Sequence, residues 1–229
     1  MERGDAAGMC SMGYRGVIFD LDGTLLDTIG DLSRSMNAVL ERFGFPGHDV
    51  ETYKTYVGDG LEMLVRRSMP QTAREDETLR ARCIQAMREE YHRRRRETTA
   101  PYPGVPELLD ELTARKIRMA VLSNKPDGPT RLLVQELLPW WRFDAVVGES
   151  AETPRKPDPA GALVIARSLG LEPRAFLFVG DSGVDMLTAV AAGMQPVGAL
   201  WGFRKAEELL AAGARILIRT PLDLLPLVS

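Results

Sequence analysis

The sequence predicts an α/β protein: a parallel sheet with helices on both faces, plus an all-helical block inserted after the first strand. Three observations carry this. Residues 101–201 alternate short apolar runs with amphipathic stretches. The run 16–21 (GVIFDL) has the same strand character but stands apart from the others, near the start of the chain. Residues 28–100, which separate it from them, show helical periodicity and no strand signal.

Element by element, residues 1–13 (MERGDAAGMCSMG) are rich in glycine, lack periodicity and are expected to form a flexible tail. Residues 16–21 read as a buried strand that ends in acids. Ile29, Leu32, Met36, Val39, Leu40 and Phe43 recur at helical spacing, and Gly44 and Pro46 stop that helix, 29–43. Helices follow over 61–69 and 74–95, the latter with Leu79, Ile84, Met87 and Tyr91 at helix-compatible positions. Beyond Pro101 the expected elements are helix 105–116, strand 118–122, helix 130–137, strand 143–147, helix 160–169, strand 175–179, helix 184–192 and strand 197–201. The domain reading is therefore a discontinuous core, 14–27 with 101–229, and a helical insertion over 28–100.

Composition narrows the function. Of 229 residues, 45% are hydrophobic and 27% charged, which excludes disorder as the main state. The net charge of −3 provides no field for a nucleic-acid backbone or an anionic membrane. The basic run 93–96 ends the longest helix of the insertion, where cations are favoured. No stretch approaches the roughly 20 apolar residues of a membrane span, and residues 1–13 lack a signal peptide's apolar centre, so a cytoplasmic location is expected. Cys10 and Cys83 have no metal-site spacing, and His48 and His92 both fall in the insertion, so a histidine-based triad has little support. No heptad repeat or apolar stripe selects between monomer and homodimer.

In an open parallel sheet, ligands bind beyond the carboxyl ends of the strands. Those positions here hold Asp20 and Asp22, then Ser123-Asn124-Lys125, then Asp181 and Asp185, with Lys156 on an approach loop. Asp20 and Asp22, two apart on an extended segment, can face one site. The carboxylates Asp20, Asp22, Asp181 and Asp185 would repel one another in a dry pocket unless a hard cation is bound or one stays protonated. Mg²⁺ suits such an all-oxygen set, and Lys156 would balance further charge.

These motifs, DLDGTLLD at 20–27, VLSN ending at Asn124, RKPDP at 155–159 and GDSGVD at 180–185, closely resemble those of the haloacid dehalogenase-like phosphohydrolase superfamily, whose core is a Rossmann-like sheet. The resemblance spans about residues 14–201. Together with YVGDG at 56–60, YPGV at 102–105 and SNKP at 123–126, the pattern is most similar to that of the phosphoglycolate phosphatases. It implies that Asp20 attacks phosphorus and that Asp22 protonates the leaving oxygen, then activates water. Ser123 and the backbone around Asn124 would bind phosphoryl oxygens, and Lys156 would offset charge between nucleophile and phosphate. Mg²⁺ would sit on the Asp20 carboxylate, the Asp22 carbonyl and Asp181, with Asp185 direct or through water. Crowding beside Asp20 and Asp181 is expected to keep Asp22 protonated when substrate arrives. Asp22 and the acidic fourth motif argue against carbon–halogen cleavage.

The insertion resembles the superfamily's mobile cap. The loop Gly58-Asp59-Gly60 and the nearby Arg66 or Arg67 are the expected substrate contacts from that side. The resemblance thus implies a Mg²⁺-dependent phosphatase of a small phosphorylated metabolite, 2-phosphoglycolate first. Nucleotides, sugar phosphates and pyrophosphate are the alternative substrates. A phosphomutase resembling β-phosphoglucomutase and a non-catalytic binder of phosphorylated metabolites are the other readings.

Overall fold

The computed structural model describes residues 13–228, so the expected tail and Cys10 lie outside the described residues, Gly13 excepted. The chain begins with β1 (Gly16–Phe19) and a two-residue strand, β2 (Leu26–Asp27). Four helices follow: α1 (Ile29–Arg42), α2 (Val50–Tyr56), α3 (Leu61–Ser68) and α4 (Glu77–Arg94). The short β3 (Ala100–Pro101) leads back to the sheet. Then come α5 (Val105–Ala114), β4 (Arg118–Pro126), α6 (Asp127–Leu137), β5 (Ala145–Glu149), α7 (Ala160–Leu169), β6 (Phe176–Gly180), α8 (Gly183–Ala192) and β7 (Gln195–Ala199). The chain closes with α9 (Ala206–Ala211), β8 (Ile216–Ile218) and a 3-10 segment at Pro221–Leu227.

The main sheet has six parallel strands in the order β5-β4-β1-β6-β7-β8. From β1 the chain builds outward through β4 and β5, then crosses to build the other half, so the order reverses at β1 and opens a crevice there. Register fixes what reaches the crevice. Phe19 pairs with Val121 on one side and Val179 on the other, so Asp20 stands level with Leu122 and Gly180, one residue before Ser123 and Asp181.

Alternation holds the sheet between two layers. Val17, Phe19, Val121, Leu177 and Val179 face one layer, with Leu108, Leu109 and Leu112 of α5 and Leu133 of α6. Ile18, Ala120, Leu122, Phe176 and Phe178 face the other, with Ile165 of α7 and Ala189 of α8. Both faces are covered, which is why these strands read as apolar runs.

The helical insertion has a separate hydrophobic cluster, in which Met36 and Leu40 of α1 meet Tyr53, Val65, Cys83 and Met87. Helix α2 was not expected. It has seven residues, only Tyr53 of them buried, and is started by Asp49, whose side chain accepts from the Thr52 amide at 2.7 Å. Helix α4 starts at Glu77 rather than at Arg74, because Asp76 caps it through the Leu79 amide at 2.9 Å. Strand β7 ends at Ala199, two residues before the expected Trp201, whose indole donates to the Thr24 carbonyl at 3.0 Å.

The two connections to the insertion pair as β2 and β3, Leu26 opposite Pro101 and Asp27 opposite Ala100. Just inside them, fully buried Asp31 is enclosed by the returning chain. Oδ1 accepts from the Thr98 amide and hydroxyl at 3.0 and 2.8 Å, and Oδ2 from the Thr99 amide and hydroxyl at 2.9 and 2.7 Å. Burial alone would raise its pKa, but these hydrogen bonds prevail and hold the carboxyl below its ordinary value. Asp31→Ala strands these four donors and the Arg34 guanidinium, which also reaches Oδ1 at 2.5 Å, and is expected to cost about 3 kcal/mol. Urea denaturation checks this; an unchanged midpoint would remove Asp31 from the forces joining the insertion to the sheet.

Candidate active site

Asp20 follows β1 directly, and its amide donates to the Val179 carbonyl at 2.9 Å, fixing it to the neighbouring strand. Oδ1 accepts from the Leu21 amide at 2.7 Å and from Lys156 Nζ at 2.7 Å. Among the described residues none donates a hydrogen bond to Oδ2. The turn that follows needs Gly23, whose φ of +88° is left-handed and whose missing Cβ would stand 2.4 Å from Asp181 Oδ2. Thr24 then donates its hydroxyl to Asp181 Oδ1 at 3.2 Å, and the Phe203 amide donates to Asp181 Oδ2 at 2.7 Å. Gly202 permits the latter approach, since a Cβ there would lie 2.2 Å from the Asp181 Cβ.

Asp185 opens α8. Its Oδ2 accepts from the Ser182 amide and hydroxyl at 3.1 and 2.6 Å, a capping box, and its Oδ1 accepts from Lys156 Nζ at 2.7 Å. Lys156, 5% exposed, thus bridges Asp20 and Asp185. Oxygens of Asp20, Asp181 and Asp185 lie within 4.8 Å of one another. Three carboxylates against one ammonium leave a deficit of two positive charges when all are ionised, and the donors are all oxygen. Both facts fit a hard dication. The crowding registers in the carboxyls: burial, then Asp185, pushes Asp20 well above the carboxylate range and Asp181 up to about 7.

The third contribution comes from β4, whose pairing with β5 loses register between Leu122 and Pro126. Such irregularities re-aim side chains. Ser123 is buried, and Asn124 braces the loop carrying Lys156, accepting from the Lys156 amide at 2.7 Å and donating to the Lys156 carbonyl at 3.1 Å. Lys125 Nζ reaches Asp22 Oδ1 at 2.8 Å and the Tyr91 hydroxyl of α4 at 2.9 Å.

All of this opens into a cavity of about 760 Å³ between sheet and insertion, reached by Asp20, Asp22, Ser123, Asn124, Lys125 and Lys156 from one side. Gly58, Gly60, Leu61, Leu64 and Tyr91 line the other.

A family model described as haloacid dehalogenase-like hydrolase matches residues 17–199, well over half of the chain. The chain belongs to the haloacid dehalogenase-like hydrolase family. It is 33% identical over 217 residues to phosphoglycolate phosphatase 1 of Pseudomonas aeruginosa, covering 92% of this chain and 78% of the relative. It is 32% identical to the phosphoglycolate phosphatase of Chromobacterium violaceum, over 94% of this chain and 96% of that one. A solved structure from Lactobacillus delbrueckii subsp. bulgaricus, provisionally named a phosphoglycolate phosphatase, superposes with a TM-score of 0.86 at 30% identity, covering 93% and 97% of the two chains.

Within this haloacid dehalogenase-like hydrolase, Asp20, Ser123, Asn124, Lys156, Asp181 and Asp185 converge as their strand ends imply. Asp22 shares the cavity with its side chain turned to Lys125, and the carboxylates that cluster are Asp20, Asp181 and Asp185. Of the loop residues, the Gly58 carbonyl accepts from Asn124 Nδ2 at 2.9 Å and Gly60 lines the cavity, whereas the Asp59 side chain turns back to Arg67 at 2.5 Å. Arg66 is not at the site. It follows cavity-lining Leu64 by two residues, about 200° around the helix, and pairs with Glu75 at 2.9 Å on the surface.

Three residues outside the expected set tie the insertion to the sheet. Arg155 donates to the Asp59 carbonyl at 3.3 Å. Arg204 donates to the carbonyls of Lys54 and Val57 at the end of α2, the second at 2.7 Å. Lys125 does so through Tyr91. Lys125, adjoining Ser123-Asn124, and Arg155, the first residue of RKPDP, had a signal in the sequence, and Arg204 had none.

Proposed function

We propose that this chain is a divalent-metal-dependent phosphatase of small phosphate monoesters, 2-phosphoglycolate foremost, working through an aspartyl-phosphate on Asp20. The observation that carries the reading is the Asp20 carboxylate itself. It stands at the mouth of the central strand with Oδ1 fixed by Leu21 and Lys156, beside buried Ser123. That leaves Oδ2 to attack phosphorus. Ser123 and the backbone around Asn124 hold the phosphoryl oxygens, and the Lys156 ammonium offsets the charge that gathers between them and Asp20. Asp22, which the structure pairs with Lys125, takes up a proton when substrate arrives, gives it to the departing alkoxide, then takes one from the water that attacks the aspartyl-phosphate, which frees phosphate and restores Asp20. Mg²⁺ held by Asp20, the Asp22 carbonyl and Asp181, with Asp185 behind them, would supply the missing positive charge on the phosphoryl group.

We read 14–27 with 101–229 as the catalytic core and 28–100 as a cap. The cavity between them supports this, because closing the cap on it would exclude water from the intermediate. The relatives' names favour 2-phosphoglycolate as substrate. The test is phosphate release from a panel of esters, with Mg²⁺ and with chelator. We expect chelator to abolish release, and 2-phosphoglycolate to lead in kcat/KM by at least about tenfold, or 1.4 kcal/mol. A lead by a nucleotide or sugar phosphate overturns the substrate, and no release from any ester overturns the phosphatase.

A further inference from the structure

The catalytic roles leave Lys125 without a task, although its side chain is only 8% exposed and lines the cavity. An ammonium has three donors. One is spent on Asp22 at 2.8 Å and one on the Tyr91 hydroxyl at 2.9 Å, and the third has no acceptor among the described residues. The Tyr91 ring centroid lies 4.6 Å from Nζ, so the cap meets this cation with the end of the ring that carries the hydroxyl.

Its place indicates what it faces. A proton donor must lie within hydrogen-bond reach of the oxygen it protonates. Lys125 adjoins Asp22, so it stands beside the leaving alcohol, whereas Lys156 serves the phosphoryl end. Other cations of the cavity wall are less suited. Lys156 is taken by Asp20 and Asp185, Arg95 by Glu136 at 2.8 Å, and Arg88 is exposed.

We propose that Lys125 is a specificity-determining residue: it receives an anionic group on the leaving alcohol, a carboxylate two bonds from the ester oxygen, while Tyr91 of the cap holds it in place. The inference rests on the phosphatase reading and names the substrate class of the same site, phosphate monoesters of short 2-hydroxy acids. It also moves carboxylate recognition from the surface arginine Arg66 to the buried lysine Lys125.

The experiment compares kcat/KM for 2-phosphoglycolate and for 2-hydroxyethyl phosphate, in which a neutral CH₂OH replaces the carboxylate. Both esters use Asp20, Asp22 and Lys156, so general damage to the site cancels in their ratio. We expect a wild-type ratio of roughly 100 and a fall to within about threefold of unity in Lys125→Met, mostly through KM for 2-phosphoglycolate. Lys125→Arg should recover part of the preference. Tyr91→Phe keeps the cation and ring and should lower the ratio by roughly tenfold, a second reading should Lys125→Met fold poorly. A preference that survives in Lys125→Met, or that collapses only in Arg88→Met, overturns the assignment while the phosphatase reading stands. A wild-type ratio near one, with turnover intact, overturns both the assignment and the named substrate.

Discussion

Asp20→Asn is expected to lower kcat by at least about 10⁴-fold and, in chelator, to raise thermal stability at neutral pH. The amide has the shape of the carboxylate, so the packing around β1 is kept, but it cannot attack phosphorus. Its effect on stability comes from charge. Asp20 and Asp185 share the Lys156 ammonium with Asp181 within 4.8 Å of both, and burial followed by Asp185 pushes Asp20 well up and Asp181 up to about 7. A carboxyl with a raised folded pKa binds more protons folded than unfolded. Its contribution to stability is therefore complete below the unfolded value of 3.8 and is lost as pH rises through about 7. Removing one of the three carboxylates should flatten that decline. Phosphate release and thermal unfolding in chelator at pH 5 and 8 measure both effects. Turnover within 100-fold of wild type would show that Asp20 is not the nucleophile, and a lower melting point at pH 8 would show that its carboxylate is not in a crowded pocket.

The parts of this molecule that could be read from the chain are those where one residue type repeats at a fixed period or where chemistry sits next to a strand end. Val17, Ile18 and Phe19 announce β1, and Asp20 follows it with nothing between. Where elements are short, the period has no room to show. Helix α2 buries only Tyr53 in seven residues, β8 has three residues, and α9 has six with Leu209 alone buried. Contacts between distant segments left less trace. Asp31 reads as an ordinary acid in the first turn of α1, and only the folded chain brings Thr98 and Thr99 to it. Tyr91 fits the apolar stripe of α4 as filler, and its hydroxyl acquires a purpose through Lys125, 34 positions later. Arg66 shows the converse: closeness in sequence to the Gly58-Asp59-Gly60 loop says nothing about the face of α3 it occupies.

Lys156→Met should produce the largest loss of stability in the site, and that loss should depend on pH and on metal. Methionine nearly matches the lysine in length, so the packing change is small. The charge change is not, because Nζ lies 2.7 Å from both Asp20 and Asp185 in a pocket where Lys156 itself is 5% exposed. Burial would lower the lysine's pKa, yet Asp185 and then Asp20 hold it above the ordinary range, which shows how strongly the carboxylates favour the charged form. Breaking a buried pair typically costs about 3–5 kcal/mol, equivalent to roughly 10 °C in a chain of this size. We expect that drop at pH 8 in chelator. At pH 5 it should shrink, because the carboxyls left without a cation take up protons, and Mg²⁺ at pH 8 should restore part of it by supplying positive charge to the same oxygens. Turnover should fall by roughly 10³-fold even where the protein is folded, since the ammonium is needed beside the attacking carboxylate. Lys156→Arg, which keeps the charge but not the fit, should lose activity with a smaller dependence of stability on pH. A destabilisation equal at pH 5 and 8, and unmoved by Mg²⁺, would mean that Lys156 holds the site by packing alone. The balance of three carboxylates, one lysine and a dication would then have to be abandoned.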